Sequence, residues 1–227
     1  MTPVRARRLG RRLLRHHLVL AGLVVGGGLL VQGWIPSPDP LARASLTSAY
    51  VALGLLSATL LTGPLDVLRG RPTPVSTDLR RDIGIWAAVV GLVHVVLGLQ
   101  VHLRGRWWLY FVYGPQERRR PLQSPVRLDP FGLANHTGLA ATLLLLVLLA
   151  ISNDVALRRL GSRRWKSVQR WNYAAAALVL GHGFAYQFVE RRGGWYVTTV
   201  AGVAGATAAI QLLGYRRRRR RRSAGAS

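Results

Sequence analysis

Six histidines are the side chains in this sequence best suited to hold a redox metal centre, since the chain has no cysteine and its one methionine is residue 1. Iron–sulfur clusters, thiolate ligation, disulfides, cysteine nucleophiles and methionine ligation are all excluded for these residues. His94 and His182 each stand inside a long apolar stretch. An ionisable side chain in a membrane-length apolar run is costly, and in membrane proteins such residues are usually functional. A buried histidine satisfied by a backbone carbonyl is the competing reading, and spacing alone leaves both open.

The elements that must carry these histidines follow from composition. Half of the 227 residues are hydrophobic, yet the chain holds 31 Arg and one Lys against eight acidic residues. The apolar residues are gathered into six blocks, at about 18–35, 44–63, 82–103, 134–152, 171–188 and 195–214. Each is of the length that spans a hydrocarbon core about 30 Å thick. The expectation is an all-α membrane protein, a six-transmembrane-helix bundle in the plasma membrane. The arginines stack at the ends of the apolar blocks and are not interleaved with aromatics on a folded surface, which argues topology and against nucleic acid. With both termini cytoplasmic, 23 of the 32 Lys and Arg fall inside, as the positive-inside rule requires.

Three regions result: a basic arm over 1–17, a membrane domain over 18–214 and a polyarginine tail over 215–227. The arm carries Arg5, Arg7, Arg8, Arg11, Arg12 and Arg15, with His16 and His17 read as part of it. The first apolar run lacks a small-x-small cleavage site and is read as a retained span, with Gly22 and Gly26 as a step for close helix approach. The second span is expected to end at Gly63-Pro64, and Ser76-Thr77-Asp78 to cap the third. The loop 104–133, with Trp107, Trp108, Tyr110, Phe111 and Tyr113, reads as a solvated segment on the headgroups or a docking surface for an outer partner. The arginine run at 216–222 reads as an anchor to anionic lipid.

Depth arithmetic pairs the two histidines. At 1.5 Å per residue, His94 lies about 18 Å from Asp82, and His182 about 17 Å from Trp171. Both spans run in the same sense, so the imidazoles reach nearly one level, at or slightly beyond the bilayer middle. Gly84, Gly91 and Gly98 recur on one stripe with His94, and Gly181 and Gly183 flank His182, leaving room for a flat ligand. Two neutral imidazoles at one depth suit the two axial positions of one haem iron. His102 and His136, near the outer ends of their spans, form a candidate outer metal site or two unrelated interfacial histidines.

A family resemblance rests on particular residues. Leu79-Arg80-Arg81, Ile83-Gly84 and then His94 resemble the third helix of the ferric-reductase-like transmembrane proteins. Ala150, Ser152-Asn153-Asp154, Arg159-Leu160-Gly161, Trp165, Gln169-Arg170, Tyr173 and His182 are similar to that family's fourth-to-fifth-helix signature. The pattern covers about residues 44–190 and is most similar to the haem-binding membrane subunits of bacterial periplasmic methionine-sulfoxide reductase systems. Two-haem members of the superfamily carry a further histidine about 14 residues before the first ligand and about 13 before the second. Here those places hold Arg80 and Gln169. The paired loss implies a single haem b, and Gln169 departs from the histidine usual in the sulfoxide-reductase subunits.

The expected function is electron relay, as the electron-transfer subunit of an oxidoreductase. The sequence has no Gly-rich phosphate loop after its last span, so electrons are expected from a cytoplasmic flavin reductase or from membrane quinol. Arg80, Arg81 and Arg170 could steer a flavin phosphate or quinone headgroup. An outer-side reductase is the expected acceptor. A stand-alone ferric or cupric reductase using His102 and His136, and a haem-free membrane scaffold, are the alternatives.

Overall fold

The computed structural model describes residues 13–71, 77–103, 105–117 and 124–224. Arg5, Arg7, Arg8, Arg11, Arg12, Ser76, Arg104 and the arginines at 118–120 lie outside the described residues. Seven α-helices follow in order: α1 (Val19–Trp34, led by a π-helical turn Leu13–Leu18), α2 (Pro40–Leu68), α3 (Thr77–Val101), α4 (Pro130–Ala150), α5 (Asp154–Gln169), α6 (Asn172–Val189) and α7 (Trp195–Ala224). Among the described residues there is no strand, only an isolated bridge between Val112 and Val126.

Five helical stretches are long and apolar enough to cross a membrane: His16–Trp34, Pro40–Leu68, Asp78–Val101, Pro130–Ala150 and Trp195–Arg221. The remaining block is α6, whose 18 residues match a bilayer in length but include Asn172, His182, Tyr186 and Gln187. Asn172 and Gln187 are buried in the bundle, so its polarity points inward. The chain is an all-helical, multi-pass membrane protein.

Local chemistry sets the helix starts. Asp39 accepts from Leu41 N at 2.9 Å ahead of Pro40, and Asp129 accepts from Gly132 N at 2.7 Å ahead of Pro130. Both pair an acidic cap with proline in the first turn. Asn153 caps α5 through Ala156 N at 2.8 Å.

Two expectations change, and the segment between the fourth and fifth apolar blocks proves to be structured. The second span does not end at Gly63-Pro64; α2 continues to Leu68 with Pro64 inside it. Gly214 of α7 makes this possible, because a Cβ there would stand 2.8 Å from the Pro64 ring. The segment 153–170 is helical, bent where Gly161 adopts φ 71°, a conformation that glycine takes at little cost. Gly22 and Gly26 face open space, with nothing within 4 Å of a Cβ. Helix α1 packs on α2 at the outside of the bundle, its leading turn touches α3, and no described residue fills that step.

Helix α2 packs chiefly on α3 and α7, and α4 on α6. The bundle is thus two tight pairs, α2/α3 and α4/α6, closed by α7. Gly70 lies against Arg221, 3.6 Å from its Cβ position to Nη2, and His16 reaches Asp82 at 2.7 Å. Residues near 16, 70, 82 and 221 therefore share one end of the molecule, the basic end. The opposite end carries Tyr110, His102 and Trp195, the aromatic end.

Candidate functional site

His94 sits on α3 and His182 on α6, one in each helix pair. Their ring centroids are 6.2 Å apart, with the planes at 68°. Each ring is held by the partner helix of its own pair. His94 Nδ1–H donates to Ser45 O of α2 at 2.9 Å, and His182 Nδ1–H donates to Ala134 O of α4 at 2.8 Å. A carbonyl only accepts, so in the neutral imidazoles the proton is on Nδ1 and the lone pair on Nε2. Neither Nε2 has a hydrogen-bond partner among the described residues. This is the arrangement that prepares imidazole to ligate a metal.

The two carbonyls are themselves built alike. Ser45 O also accepts from Ser48 Oγ at 2.8 Å, and Ala134 O from Thr137 Oγ1 at 2.7 Å. In both helices a hydroxyl three residues on bonds back to the same oxygen, a contact that tilts the carbonyl away from the helix axis.

The spacing between the rings is informative. Imidazole nitrogens stand about 2 Å from a transition metal they ligate, and ring centres lie roughly 1 Å behind, so two rings gripping one ion from opposite sides stand about 6 Å apart. The observed separation matches that arrangement.

Glycines give the rings space, though not all those expected to. Gly98 lies 3.8 Å from His94 Cε1 and 3.4 Å from Ser45 Oγ, measured from its Cβ position. Gly91 instead faces Leu145 of α4 at 3.8 Å, and Gly84 faces Thr59 of α2 at 3.6 Å. A seven-residue repeat drifts about 20° per step around a straight helix, which turns Gly91 to a different neighbour. Gly181 has nothing nearby and Gly183 meets Val200 at 3.9 Å. The glycine that admits the His182 ring is Gly138 of α4, where a Cβ would stand 2.7 Å from Nδ1. Sequence spacing missed it, and Ser45 and Ala134 too, because each acts from a different helix than the ring it serves.

An aromatic cluster runs from His182 to the aromatic end. Tyr186 lies 4.9 Å from His182 and donates to Asn135 Oδ1 at 2.8 Å. Its ring stacks on His102 at 6.3 Å and meets Phe131 at 6.2 Å. Tyr110 lies 5.4 Å from Phe131 and donates to Gly98 O at 2.9 Å. The loop bearing Tyr110 thus folds into the bundle instead of lying on the headgroups: Tyr110 is 1 % exposed, while Trp107 and Trp108 stay outside.

His102 and His136 have different surroundings. His102 Nε2 pairs with Glu190 at 3.4 Å, whereas His136 lies against Phe111 at 5.6 Å with a buried, unpartnered Nε2. Among the described residues no three His, Cys, Asp or Glu side chains gather as a metal site.

At the basic end, Arg81 is nearly buried between Asp78 at 3.1 Å and Asp154 at 2.6 Å, so it is tied down and not free to steer a ligand. Arg80 is half-buried and Arg170 exposed. Gln169 donates to Ser152 Oγ at 3.4 Å and accepts from Asn172 Nδ2 at 3.3 Å, bridging the α4–α5 and α5–α6 turns. His16 and His17 are more than a basic arm: both reach the fully buried Asp82, at 2.7 and 3.6 Å, and His17 Nδ1 accepts from Trp86 Nε1 at 3.2 Å.

Residues 48–181, from within α2 to Gly181 beside His182, match the family described as "Ferric reductase like transmembrane component". The chain belongs to that family. It is 29% identical over 187 residues to the protein-methionine-sulfoxide reductase heme-binding subunit MsrQ of Bordetella pertussis, covering 79% of each chain. It is 26% identical over 167 residues to the MsrQ of Deinococcus radiodurans, covering 68% of this chain and 74% of that one. The family span takes in most of α2, all of α3, α4 and α5 and the first part of α6, and leaves out the basic arm, α1, Ser45, His182 and α7.

Proposed function

We propose that the protein binds one haem b between His94 and His182 and relays electrons across the membrane to a partner reductase. One observation carries this reading: two imidazoles 6.2 Å apart, each with Nδ1 committed to a carbonyl of a neighbouring helix and Nε2 left free. Relatives named as haem-binding subunits support the choice of haem. Haem, when bound, supplies a one-electron carrier of adjustable potential.

The chain's own residues have separable tasks. His94 and His182 hold the iron through Nε2. Ser45 and Ala134 fix ring orientation and raise imidazole basicity. Gly138 keeps the space that the His182 ring occupies. Tyr186, Phe131 and Tyr110 fill the bundle between His182 and the aromatic end and exclude water there.

The basic end, with most of the Lys and Arg, faces the cytoplasm, and both termini with it, in the plasma membrane. The regions are a cytoplasmic arm over 1–17, the membrane domain over 18–214 and a cytoplasmic polyarginine tail over 215–227. The electron donor is a cytoplasmic flavin reductase or membrane quinol, arriving at the end that carries Arg80 and Gln169. The acceptor is an outer-side methionine-sulfoxide reductase, by analogy with the names of the relatives.

The test uses proteoliposomes holding a chemical reductant inside, with either a purified methionine-sulfoxide reductase or ferric citrate outside. The reading predicts sulfoxide reduction that needs the full-length chain and is lost in His94→Ala and His182→Ala. Ferric reduction that persists without the partner, and that His102→Ala or His136→Ala removes, would instead favour the stand-alone metal reductase.

A further inference from the structure

At the aromatic end, away from the histidine pair, a cavity of about 790 Å³ opens between the ends of α4, α6 and α7. Its walls are apolar, with Phe131, Phe184, Phe188 and Val197 prominent. Phe188 is 76 % exposed, so the cavity opens to the side where lipid lies. Trp195 and Tyr196, stacked at 4.1 Å beside it, are the residue types that mark headgroup depth.

Two residues of this cavity are unusual for the places they hold. Gln187 lines it and is 6 % exposed, yet its Oε1 is buried without a hydrogen-bond partner. Arg191, on the rim, has φ 50°, the left-handed conformation that favours glycine. It occupies the turn that ends α6, where Arg191 N–H donates to Phe188 O at 3.1 Å and Arg192 N–H to Gln187 O at 2.9 Å. This is the Schellman arrangement, and its left-handed position is usually glycine. Here glycines come two and three places later, at 193 and 194, while an arginine holds the strained place. Strain kept at a rim residue is a mark of a working side chain.

The charges around the cavity leave one cation in surplus. Arg192 pairs with Glu190 at 3.7 Å and lies over the Tyr196 ring at 5.8 Å. Asp129 is committed to Gly132 N at 2.7 Å and to Arg127 at 3.4 Å. Arg191 has no ion-pair partner among the described residues.

We infer that this cavity binds an anionic glycerophospholipid with a hydroxyl-bearing headgroup, of the phosphatidylglycerol class. The phosphate pairs with Arg191, a headgroup hydroxyl donates to Gln187 Oε1, and the upper acyl chains lie along Phe184 and Phe188. Each part of the ligand answers a feature already present: a surplus cation, a buried acceptor without a donor, and an apolar wall open to lipid.

Native mass spectrometry of the full-length protein, titrated with phosphatidylglycerol, phosphatidylcholine or inorganic phosphate, tests this. Wild type should retain phosphatidylglycerol about tenfold better than phosphatidylcholine. Arg191→Gly should lower that retention about fivefold, while its melting temperature in phosphatidylcholine nanodiscs stays level or rises, because glycine relieves the left-handed turn. Gln187→Leu should abolish the preference for phosphatidylglycerol over phosphatidylmethanol, which lacks the hydroxyl. Unchanged retention in Arg191→Gly, equal retention of phosphatidylcholine, or displacement of the lipid by equimolar inorganic phosphate would each overturn the assignment.

Discussion

Gly138 lies where any side chain would strike the His182 imidazole: a Cβ there would stand 2.7 Å from Nδ1 and 2.8 Å from Cε1. The ring cannot retreat without giving up its bond to Ala134 O, one turn earlier on the same helix. Gly138→Ala is therefore expected to tilt the ring and weaken haem retention by about tenfold, as changes beside metal ligands do. Gly181→Ala, which adds a methyl in open space, should leave it unchanged. The Soret absorbance per polypeptide after dialysis distinguishes the two variants, with circular dichroism checking that both remain helical.

Asp82 is fully buried at the basic end and receives His16 and His17. These contacts tie the start of the chain to α3. Hydrogen bonds to a carboxylate contribute about 1.5–3 kcal/mol, so Asp82→Ala, which removes the acceptor for His16, should cost about 2–3 kcal/mol. Thermal unfolding in detergent should fall accordingly, and trypsin should cut the basic arm faster. A melting temperature equal to that of wild type would contradict this placement.

Much of the frame was legible in the sequence, for a physical reason. Apolar length and arginine placement are imposed by the bilayer, so the six blocks correspond to α1, α2, α3, α4, α6 and α7. The constant rise of a helix put His94 and His182 at one depth, and their rings stand 6.2 Å apart. Illegible were the contacts that cross between helices. Nothing in the spacing tells that Ser45 serves His94, that Gly138 serves His182, or that Asp82 gathers His16 and His17. Pro64 misled because a proline in a membrane helix is tolerated when a neighbour such as Gly214 makes room.

The loop before α4 should respond to acid. Glu117 accepts from Arg127 and from Gly114 N at 3.0 Å, and the Arg127 hydrogen bond, followed by that from Gly114, holds its carboxyl below the ordinary value of 4.5. A carboxylate whose folded value is depressed contributes stability above its unfolded value, and loses it as pH falls through the folded one. The loop is thus fully held above about pH 4.5 and loosens below it. Limited proteolysis by pepsin between pH 5 and pH 3 should show cleavage near Glu117 rising, and Glu117→Gln should be cut at a rate that varies less with pH across that range.

Tyr186 joins His182 to the aromatic end through its ring and bonds Asn135 through its hydroxyl. Tyr186→Phe removes one hydrogen bond and should cost about 1 kcal/mol, with haem content preserved. Tyr186→Ala also removes the ring that packs on His182, His102 and Phe131, and should cost about 3–5 kcal/mol. Denaturation of the two variants in one detergent gives the comparison, and equal losses would contradict a packing role for the ring.

The most direct test is haem content per polypeptide, measured by pyridine haemochrome on the purified full-length chain and on single alanine variants of His94, His182, His102 and His136. One haem per chain in wild type, none in the His94 and His182 variants, and full content in the other two is the predicted result. Haem retained without His94 or His182, or lost without His102, would contradict the pairing.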